Sequence, residues 1–279
     1  MKIKFLAADS LGVRSMATLV ETPDTSILID PAAALGPRRY GLPPHKLELE
    51  ALESAWQEIS EFSEDAEIVI VTHYHYDHHS RKRNLEIYKD KILMIKDPNS
   101  FINDSQRWRA KAFLKKIEGL PKQIIVVDSK EFFVGDTQIV FSKPVPHGEP
   151  NTKLGYVLEV YISDGDDSFL FSSDVEGLLD GSQAEFIIEM KPSIIYLDGL
   201  PTYLGEKKAL KFIDLSLQNI DKVIRAVKPR ILIIDHHLLR DLRYREYFGS
   251  LGNFMTAAEF MGRPLNLLEA RRKELWGKE

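Results

Sequence analysis

The sequence predicts an α/β domain, and two observations carry this prediction. Short β-branched apolar runs such as Ile68–Val71 are typical of strands buried on both faces, and they alternate with stretches of helical periodicity. Polar side chains that can bind metals directly follow several of these runs. The length of 279 residues, of which 44% are apolar, suffices for one large domain with a substantial core.

The most informative segment is the polar stretch that follows the apolar run Ile68–Val71. After Thr72 come four histidines and one aspartate: His73, His75, Asp77, His78 and His79. Neutral imidazole nitrogen and carboxylate oxygen are ligands for zinc and similar divalent ions. Ligands of open α/β sheets bind at the carboxyl ends of the strands. The segment therefore predicts a metal site at the end of a buried strand.

The spacing of these side chains favours two ions. His73 and His75 lie two residues apart on an extended loop, so both can point toward one ion. Asp77 and His78, at the start of a predicted helix, can face a second ion, and ions about 3.5–4 Å apart are typical of hydrolytic sites. A loop that only caps a helix would need fewer histidines. A closed structural zinc site favours cysteine, which the chain lacks.

The pattern HxHxDH at residues 73–78 resembles the signature of the metallo-β-lactamase-fold superfamily. The stretches SLGVRSMAT, GPRRYGLPP, HGEPNTKLGY, SSDVEG and DHHLLRD are similar to an uncharacterised archaeal branch of metal-dependent hydrolases. The resemblance implies a four-layer αβ/βα sandwich, in which two mixed β-sheets pack together with helices outside. It also implies a single domain over residues 1–279, with halves of about 1–130 and 131–279. The branch provides no known substrate.

The resemblance also implies a complete set of metal ligands. His147 follows a strand in a Pro- and Gly-rich loop, where the superfamily places the third histidine of the first ion. Asp174 resembles the carboxylate that bridges both ions, and Asp30 resembles a group that orients a metal-bound histidine or the helix after the motif. The implied ligands are His73, His75 and His147 for the first ion, Asp77, His78 and His236 for the second, and Asp174 between them.

Two adjacent histidines compete for the last position at the second ion. His236 leaves the predicted strand first and lies four residues before Arg240, a spacing that resembles the HxxxR of the superfamily's tRNA-processing endonucleases. Neighbouring side chains on an extended segment point in opposite directions. We therefore assign the ion to His236 and expect His237 to face the pocket wall or a carboxylate such as Asp30. Arg240 would then meet a negative oxygen of the substrate.

Strand and helix patterns alternate through the first half of the chain. Strands are predicted near residues 2–7, 16–21, 26–30, 68–71 and 92–95, with Pro23-Asp24 supplying the turn between the second and third. Helical spacing of apolar residues predicts a helix over residues 46–62. Two more helices are predicted over residues 79–89 and, after Pro98, over residues 99–117.

The second half is predicted to begin with strands near residues 124–127, 132–134 and 138–141. Gly135-Asp136 is typical of the turn between the last two. A hairpin over residues 154–162 and 169–172 follows, and later strands are expected at 193–197 and 230–234. Helices are predicted over residues 207–227 and from the last strand through residue 279.

Three further regions carry residues suited to substrate contacts. Arg38 and Arg39 lie in a Gly- and Pro-rich loop over residues 32–44 and could hold an anionic group, although solvated arginine is the favoured interpretation. Tyr203 could line the mouth of the site. The segment 99–117 carries basic residues that suit phosphate, or form the solvated face opposite an apolar stripe: Arg107, Arg109, Lys111, Lys115 and Lys116 against Trp108, Ala112, Phe113 and Ile117.

Composition limits the cellular setting and the partners. The net charge of −5 gives no general support for nucleic-acid binding, although a local patch stays open. The chain contains no cysteine, and its first ten residues lack the apolar stretch of a signal peptide. These features predict a cytoplasmic protein without a membrane segment, and they leave its oligomeric state open.

The function implied by the resemblance is hydrolysis at a two-metal site. Zinc is the first candidate for this set of imidazole and carboxylate, and manganese or iron also fits. The ions would generate a bridging hydroxide that attacks an ester, lactone, thioester or phosphoester, with a small molecule as the leading substrate. The alternatives are a nuclease or phosphodiesterase and a di-iron redox protein. A non-catalytic binding module is disfavoured because the ligand set is complete.

Overall fold

Two six-stranded mixed sheets form the centre of the structure, a computed structural model that describes residues 1–80 and 82–277. The first sheet has the order β1-β2-β3-β4-β5-β6, antiparallel across β1 to β3 and parallel from β3 to β6. Its strands are β1 (Lys2–Phe5), β2 (Thr18–Glu21), β3 (Ser26–Ile29), β4 (Ile68–Val71), β5 (Ile92–Ile95) and β6 (Gln123–Val126).

The second sheet has the order β14-β13-β12-β11-β8-β7, and its strands β12, β13 and β14 are parallel. These six strands are β7 (Glu131–Val134), β8 (Thr137–Phe141), β11 (Val160–Ser163), β12 (Ser168–Phe171), β13 (Ile194–Asp198) and β14 (Ile231–Asp235). A short antiparallel ribbon of β9 (Val145–Pro146) and β10 (Tyr156–Val157) lies beside it. The first sheet thus lies within residues 2–126 and the second within residues 131–235.

Side chains of one strand alternate between two different cores. Ile68 and Ile70 of β4 join the central core between the sheets, whereas Val69 and Val71 join the core under the outer helices. In the second sheet Phe169 of β12 faces the central core and its neighbour faces the opposite side. A fully buried side chain of this size contributes about 1.5–3 kcal/mol relative to exposure. Burial of both sheet faces explains why the strand sequences are continuously apolar.

The longer helices cover the outer face of each sheet, and shorter helices follow the last strand. They are α1 (Lys46–Ser63), α2 (Asp104–Lys116), α3 (Gly181–Met190), α4 (Ile213–Val227), α5 (Tyr244–Phe248), α6 (Ala257–Phe260) and α7 (Arg272–Trp276). Trp56 of α1 and Phe113 of α2 pack on the first sheet, and Ile187 of α3 and Ile220 of α4 pack on the second. The order helix, sheet, sheet, helix confirms the predicted four-layer sandwich. No helix among the described residues is long and apolar enough to cross a bilayer.

The two helices predicted around the metal motif are wrong in extent. The described residues of the segment 79–89 contain only a 3-10 turn, Leu85–Tyr88, because Asn84 before it has a left-handed φ of 48°. Arg81 of that prediction lies outside the described residues. The helix predicted over 99–117 begins at Asp104, since Phe101 is left-handed and the Asn103 side chain caps the first turn.

Three later predictions also need correction. The strand expected over 154–162 is divided, because β10 pairs with β9 while β11 pairs with β8 and β12. The helix expected over 207–227 begins at Ile213 after a 3-10 turn. The C-terminal helix is instead three short helices, α5 to α7, and its predicted residues 278 and 279 lie outside the described chain.

The apolar stripe predicted along α2 also needs correction. Trp108, assigned to that stripe, is 62% exposed, because α2 instead buries Gln106, Ala110 and Phe113.

Candidate metal centre

Loops leaving the carboxyl ends of β4, β12 and β14 meet at one edge of the sandwich. These loops carry the histidine motif, Asp174 and His236. The fourth contributor, His147, directly follows β9, and its backbone N–H donates to the carbonyl of Gly155 at 2.9 Å. The β9–β10 ribbon thus holds His147 against the other loops. All the histidines involved are buried except His75, which is partly exposed.

Three site residues have left-handed backbones although they carry side chains. The φ angles are 48° at Asp30, 55° at Ser173 and 60° at His236. Each angle costs free energy for a residue with a Cβ atom, and such strain collects at functional sites. Asp30 and His236 directly follow strands, and Ser173 lies two residues beyond one. The abrupt turn at each residue directs polar side chains across the edge of the sheet.

The first cluster consists of His73, His75, His147 and Asp174. Nε2 of His147 lies 3.1 Å from Nδ1 of His75 and 3.1 Å from Oδ2 of Asp174. Nε2 of His73 lies 3.4 Å from the same carboxylate oxygen. The structure therefore brings together the four residues that the sequence assigns to the first ion.

The second cluster consists of Asp77, His78 and His236. Nε2 of His78 and Nε2 of His236 lie 2.9 and 3.3 Å from Oδ1 of Asp174. Oδ2 of Asp77 is 3.8 Å from Nε2 of His236. The two oxygens of Asp174 thus face different clusters, which is the arrangement expected of a bridging carboxylate.

The donor atoms fit divalent metal ions. Two atoms bonded to one tetrahedral ion at about 2.0–2.1 Å lie roughly 3.3–3.4 Å apart, close to the separations within both clusters. Nε2 of His73, Nε2 of His78 and Oδ1 of Asp174 are buried and form no hydrogen bond of good geometry among the described residues, although the last two lie 2.9 Å apart. Buried polar atoms normally have partners, so these atoms indicate ligands of a cation.

Carboxylates hold the outer nitrogen of two of these histidines. Nδ1 of His78 lies 2.8 Å from Oδ2 of Asp30, whose carboxylate also accepts the backbone N–H and hydroxyl of Thr72. Nδ1 of His236 lies 2.8 Å from Oδ2 of Asp9. A carboxylate on Nδ1 fixes the tautomer whose Nε2 lone pair is free for a metal. Asp30 thus contacts His78, and its predicted role in orienting a metal-bound histidine stays a prediction.

The contacts of His147 and His73 are weaker, and Nδ1 of His147 forms no hydrogen bond among the described residues. Nδ1 of His147 lies 3.5 Å from Oε1 of Glu176, and Nδ1 of His73 lies 3.2 Å from the hydroxyl of Ser173. His237 is bound by Asp198, because its Nδ1 lies 3.0 Å from both carboxylate oxygens. The suggestion that His237 contacts Asp30 is wrong, since Asp30 is occupied by His78 and Thr72.

Electrostatics differ between the imidazoles. Burial and the neighbouring charge of His78 hold the pKa of His73 well below its ordinary value, so that ring stays neutral. Burial alone would raise the pKa of Asp174, but the charges of His78 and His236 outweigh burial and hold that pKa well below the usual range. Asp174 is therefore an anion surrounded by nitrogen donors.

Arg240 lies beside the second cluster, inside the protein. Its Nε donates to Oδ1 of Asp9 at 2.8 Å, and its Nη2 lies 3.2 Å from Nε2 of His236 and 3.8 Å from Oδ2 of Asp77. The side chain is buried. The guanidinium thus contacts Asp9, and its predicted contact with substrate stays a prediction.

The other candidates lie around the edge of the centre. His79 belongs to neither cluster, because its Nδ1 lies 2.9 Å from the carbonyl of His75 and its ring packs on Phe113. Arg38 donates to the carbonyl of Gly41. Arg39 lies 4.6 Å from the ring centroid of Tyr203 and donates to the carbonyl of Arg240. In α2, Arg109 stacks on Tyr76 at 4.5 Å.

Sequence reasoning missed three residues that hold the histidines: Asp9, Glu176 and Asp198. Asp198 ends a buried strand, the same local signal that identified Asp174. Asp9 lies in a 3-10 turn 227 residues from His236, and nothing in its neighbourhood marks it.

Solved structures of low sequence identity share this fold. Tm1679, a metal-dependent hydrolase of the β-lactamase superfamily, aligns with a TM-score of 0.54 at 13% identity, covering 91% of this chain and 94% of that one. A possible metal-dependent hydrolase from Veillonella parvula aligns with a TM-score of 0.53 at 13% identity, covering 81% and 83%. The predicted metallo-β-lactamase-like fold is therefore confirmed.

Full-length relatives are found among archaea, although no protein-family model matches the chain. A UPF0282 protein of Korarchaeum cryptofilum is 49% identical over 285 residues, covering 99% of this chain and 94% of the relative. Those of Pyrococcus furiosus and Methanocaldococcus jannaschii are 44% and 42% identical, each covering 99% of the chain and 92% and 96% of their own length. These relatives confirm the archaeal branch predicted from the sequence, and the chain belongs to the UPF0282 family.

Proposed function

We propose that the chain is a metal-dependent hydrolase with two divalent ions, for which zinc is the first candidate and manganese or iron the alternatives. The observation that carries the proposal is the position of the Asp174 carboxylate between the two clusters. Its Oδ1 lies 2.9 Å from Nε2 of His78, and its Oδ2 lies 3.1 Å from Nε2 of His147. A bridging anion offsets the repulsion between two cations. The first ion would be held by His73, His75 and His147, the second by Asp77, His78 and His236, and both by Asp174.

When bound, the ions would provide a water that ionises near neutral pH and positive charge for the oxygen of the scissile bond. The protein contributes orientation. Asp30 fixes both Thr72 and His78, so the backbone that carries the motif cannot rotate freely. Asp77 is the most accessible residue of the second cluster, with a side chain 16% exposed against none for His78 and His236. Asp77 and the partly exposed His75 of the first cluster therefore mark the side on which substrate would approach.

The leading substrate is a small molecule with an ester, lactone, thioester or phosphoester bond. Two structural neighbours of this fold are described as metal-dependent hydrolases, and a third, from Delia radicum gut bacteria, is an isothiocyanate hydrolase with a TM-score of 0.52 at 15% identity over 85% of this chain and 84% of that one. These neighbours support hydrolysis as a reaction class. The absence of cysteine from the sequence supports a cytoplasmic setting.

A nuclease or phosphodiesterase is the second candidate function. The observation that favours it is the stacking of Arg109 on Tyr76, which places a basic side chain of α2 next to the histidine motif. The exposed Trp108 on the same helix could stack on a base. The net charge of −5 speaks against a broad nucleic-acid surface.

A di-iron redox protein is the third candidate, because nitrogen and carboxylate donors also suit iron. Such a protein would need a separate electron-transfer partner. The identity of the metal in protein purified without added metal separates this candidate from the other two.

The proposal is tested by metal analysis combined with a hydrolysis screen over ester, lactone, thioester and phosphodiester probes. We expect close to two ions per chain, hydrolysis that stops on chelation, and recovery when metal is restored. His45→Asn is the matched control, because His45 caps α1 outside the clusters and Asn is also a good cap. Protein that binds fewer than one ion after reconstitution, or hydrolysis unaffected by chelation, would contradict the proposal.

A further inference from the structure

A cleft of about 490 Å³ opens between the loop after His147 and the segment that joins β13 to α4. Four exposed lysines line it, together with apolar side chains such as Leu154, Leu200, Leu204 and Phe212. We call it the lysine cleft, after Lys153, Lys207, Lys208 and Lys211. A concave surface of this kind combines an apolar wall with several fixed positive charges.

The lysine cleft borders the candidate metal centre. Its wall includes Glu176, two residues after Asp174, whose carboxylate lies 3.5 Å from Nδ1 of His147. The opposite nitrogen of the same ring, Nε2, faces Asp174 at 3.1 Å. One imidazole ring therefore separates the cleft from the first cluster.

The charge of the cleft is opposite to that of the chain. Four lysines face two acidic residues, Glu149 and Glu176, and Glu176 is turned toward His147. None of the four lysines forms a salt bridge with another described residue, and Lys211 lies 4.5 Å over the Phe212 ring. The whole chain carries a net charge of −5. Like charges gathered in a cleft raise the local concentration of oppositely charged ligands.

We propose that the lysine cleft binds a negatively charged end of the substrate, a carboxylate or a phosphate on an apolar chain, while the scissile bond lies at the metal centre. The inference rests on the proposed hydrolase function and narrows its substrate to amphiphilic anions. Lysine ammonium groups would bind the anion, and the apolar side chains would pack against the carbon skeleton.

The test uses a matched pair of esters that differ in one charge. The 4-nitrophenyl monoester of adipate carries a terminal carboxylate, and 4-nitrophenyl hexanoate is its neutral counterpart. K207E/K208E/K211E should lower kcat/KM for the adipate ester at least about tenfold, the equivalent of about 1.4 kcal/mol. The hexanoate ester should change less than about twofold, because the metal centre is untouched. A third ester carries a terminal phosphonate. The anion that the cleft prefers is the one whose ester loses more kcat/KM in K207E/K208E/K211E.

The controls separate the cleft from other basic surfaces. K111E/K115E/K116E reverses three exposed lysines of α2 and should leave the preference for the charged ester unchanged. The conservative K207R/K208R/K211R should retain that preference, because the charges remain. An equal loss for both esters in the cleft variant, or the selective loss in the α2 variant, would overturn the proposal.

A binding experiment keeps this inference distinct from the hydrolase proposal. If the whole hydrolysis screen is negative, the proposed function fails, and calorimetry with 6-phenylhexanoate still tests the cleft. Wild type and Asp174→Asn should bind this anion alike, and K207E/K208E/K211E should bind it at least about tenfold more weakly. Equal affinity in wild type and the charge-reversal variant would overturn the inference, as would binding that disappears in Asp174→Asn, which would place the anion on the metals.

Discussion

The carboxylate of Asp9 lies 2.8 Å from Nδ1 of His236, joining the start of the chain to the end of β14. The same carboxylate accepts a hydrogen bond from Arg240 at 2.8 Å, so it holds both a candidate ligand and the cation beside it. Burial raises the cost of ionising Asp9, but Arg240 and His236 outweigh it and lower the pKa of Asp9. Asp9 is therefore an anion that orients the second cluster.

Removal of this anion should weaken the second metal ion. Asp9→Ala is expected to lower metal affinity or activity about 10–100-fold, the usual cost of losing a carboxylate behind a metal-bound histidine. Asp9→Asn should lose less, because its amide oxygen can still accept from Nδ1. The measurement is a metal titration with a competing chelator.

A matched aspartate serves as the control for Asp9. Asp167 pairs with Arg230 at 2.7 Å, at the end of β12 remote from the metal centre. Asp167→Asn should leave the affinity for both ions unchanged. Wild-type affinity in Asp9→Ala would show that His236 is oriented by other groups or is not a ligand.

The Asp174 carboxylate yields a second prediction, because its two oxygens face different clusters. Asp174→Ala should weaken binding of the second ion more than that of the first. The first ion keeps three histidines, whereas the second keeps two histidines and Asp77. Quantitative metal analysis across a chelator series should show one tight ion and one weakened ion. Unchanged occupancy of both sites would show that another group bridges them.

The candidate ligands could be predicted because their signals are local. Histidines of the motif directly follow a short apolar strand, which is a local signal. Asp174 and His236 also follow strands, but the resemblance to the superfamily selected them, and His147, from the other polar residues at strand ends. The parallel order of β12, β13 and β14 places the ends of those strands together. Patterns of this kind can be recognised in a sequence without knowledge of tertiary contacts.

The surrounding structure could not be predicted, because it depends on distant or competing contacts. Asp9 reaches its partner across 227 residues. The helix expected after the motif does not form, since the Ser80 hydroxyl accepts the backbone N–H of Arg83 and Asn84 turns left-handed. The helix expected after Pro98 begins later than predicted, in part because the buried Lys96 ammonium donates a hydrogen bond to the carbonyl of Ser100.

Proton release provides a third prediction. Burial lowers the pKa of His147, but Asp174 and Glu176 outweigh it and raise that pKa to about 10 in the metal-free protein. Burial also lowers the pKa values of His236 and His78, and acidic neighbours again outweigh it. The pKa of His236 is raised to about 10, and that of His78 lies well above its ordinary value. These three rings are protonated at pH 7 and must lose their protons to bind metal.

Metal binding at pH 7 should therefore release about three protons per chain, one from each of these histidines, and affinity should rise with pH. Calorimetry of the metal titration in buffers with different ionisation enthalpies measures the number directly. Release should fall as pH approaches the raised pKa values. A heat of binding that does not depend on the buffer would mean that the rings are already neutral.

The assignment of His236 and His237 is the most direct test of the second cluster. Nε2 of His236 lies 3.3 Å from Oδ1 of Asp174 and 3.8 Å from Oδ2 of Asp77. His237, whose Nδ1 contacts Asp198 as that of His236 contacts Asp9, lies in a further possible metal group with Asp174 and His236, so substitution has to separate the two histidines. Loss of a ligand removes a coordination bond, and loss of a neighbouring group costs about 10–100-fold in affinity or activity. His236→Ala should therefore empty the second site.

His237→Ala is the matched control, because it removes the adjacent imidazole from the same loop. It should keep two ions per chain, with activity reduced because an imidazole at the wall of the site is gone. Metal content and activity are to be measured on the same preparations, so that loss of metal and loss of rate can be told apart. Two ions retained by His236→Ala, together with one ion lost by His237→Ala, would reverse the assignment.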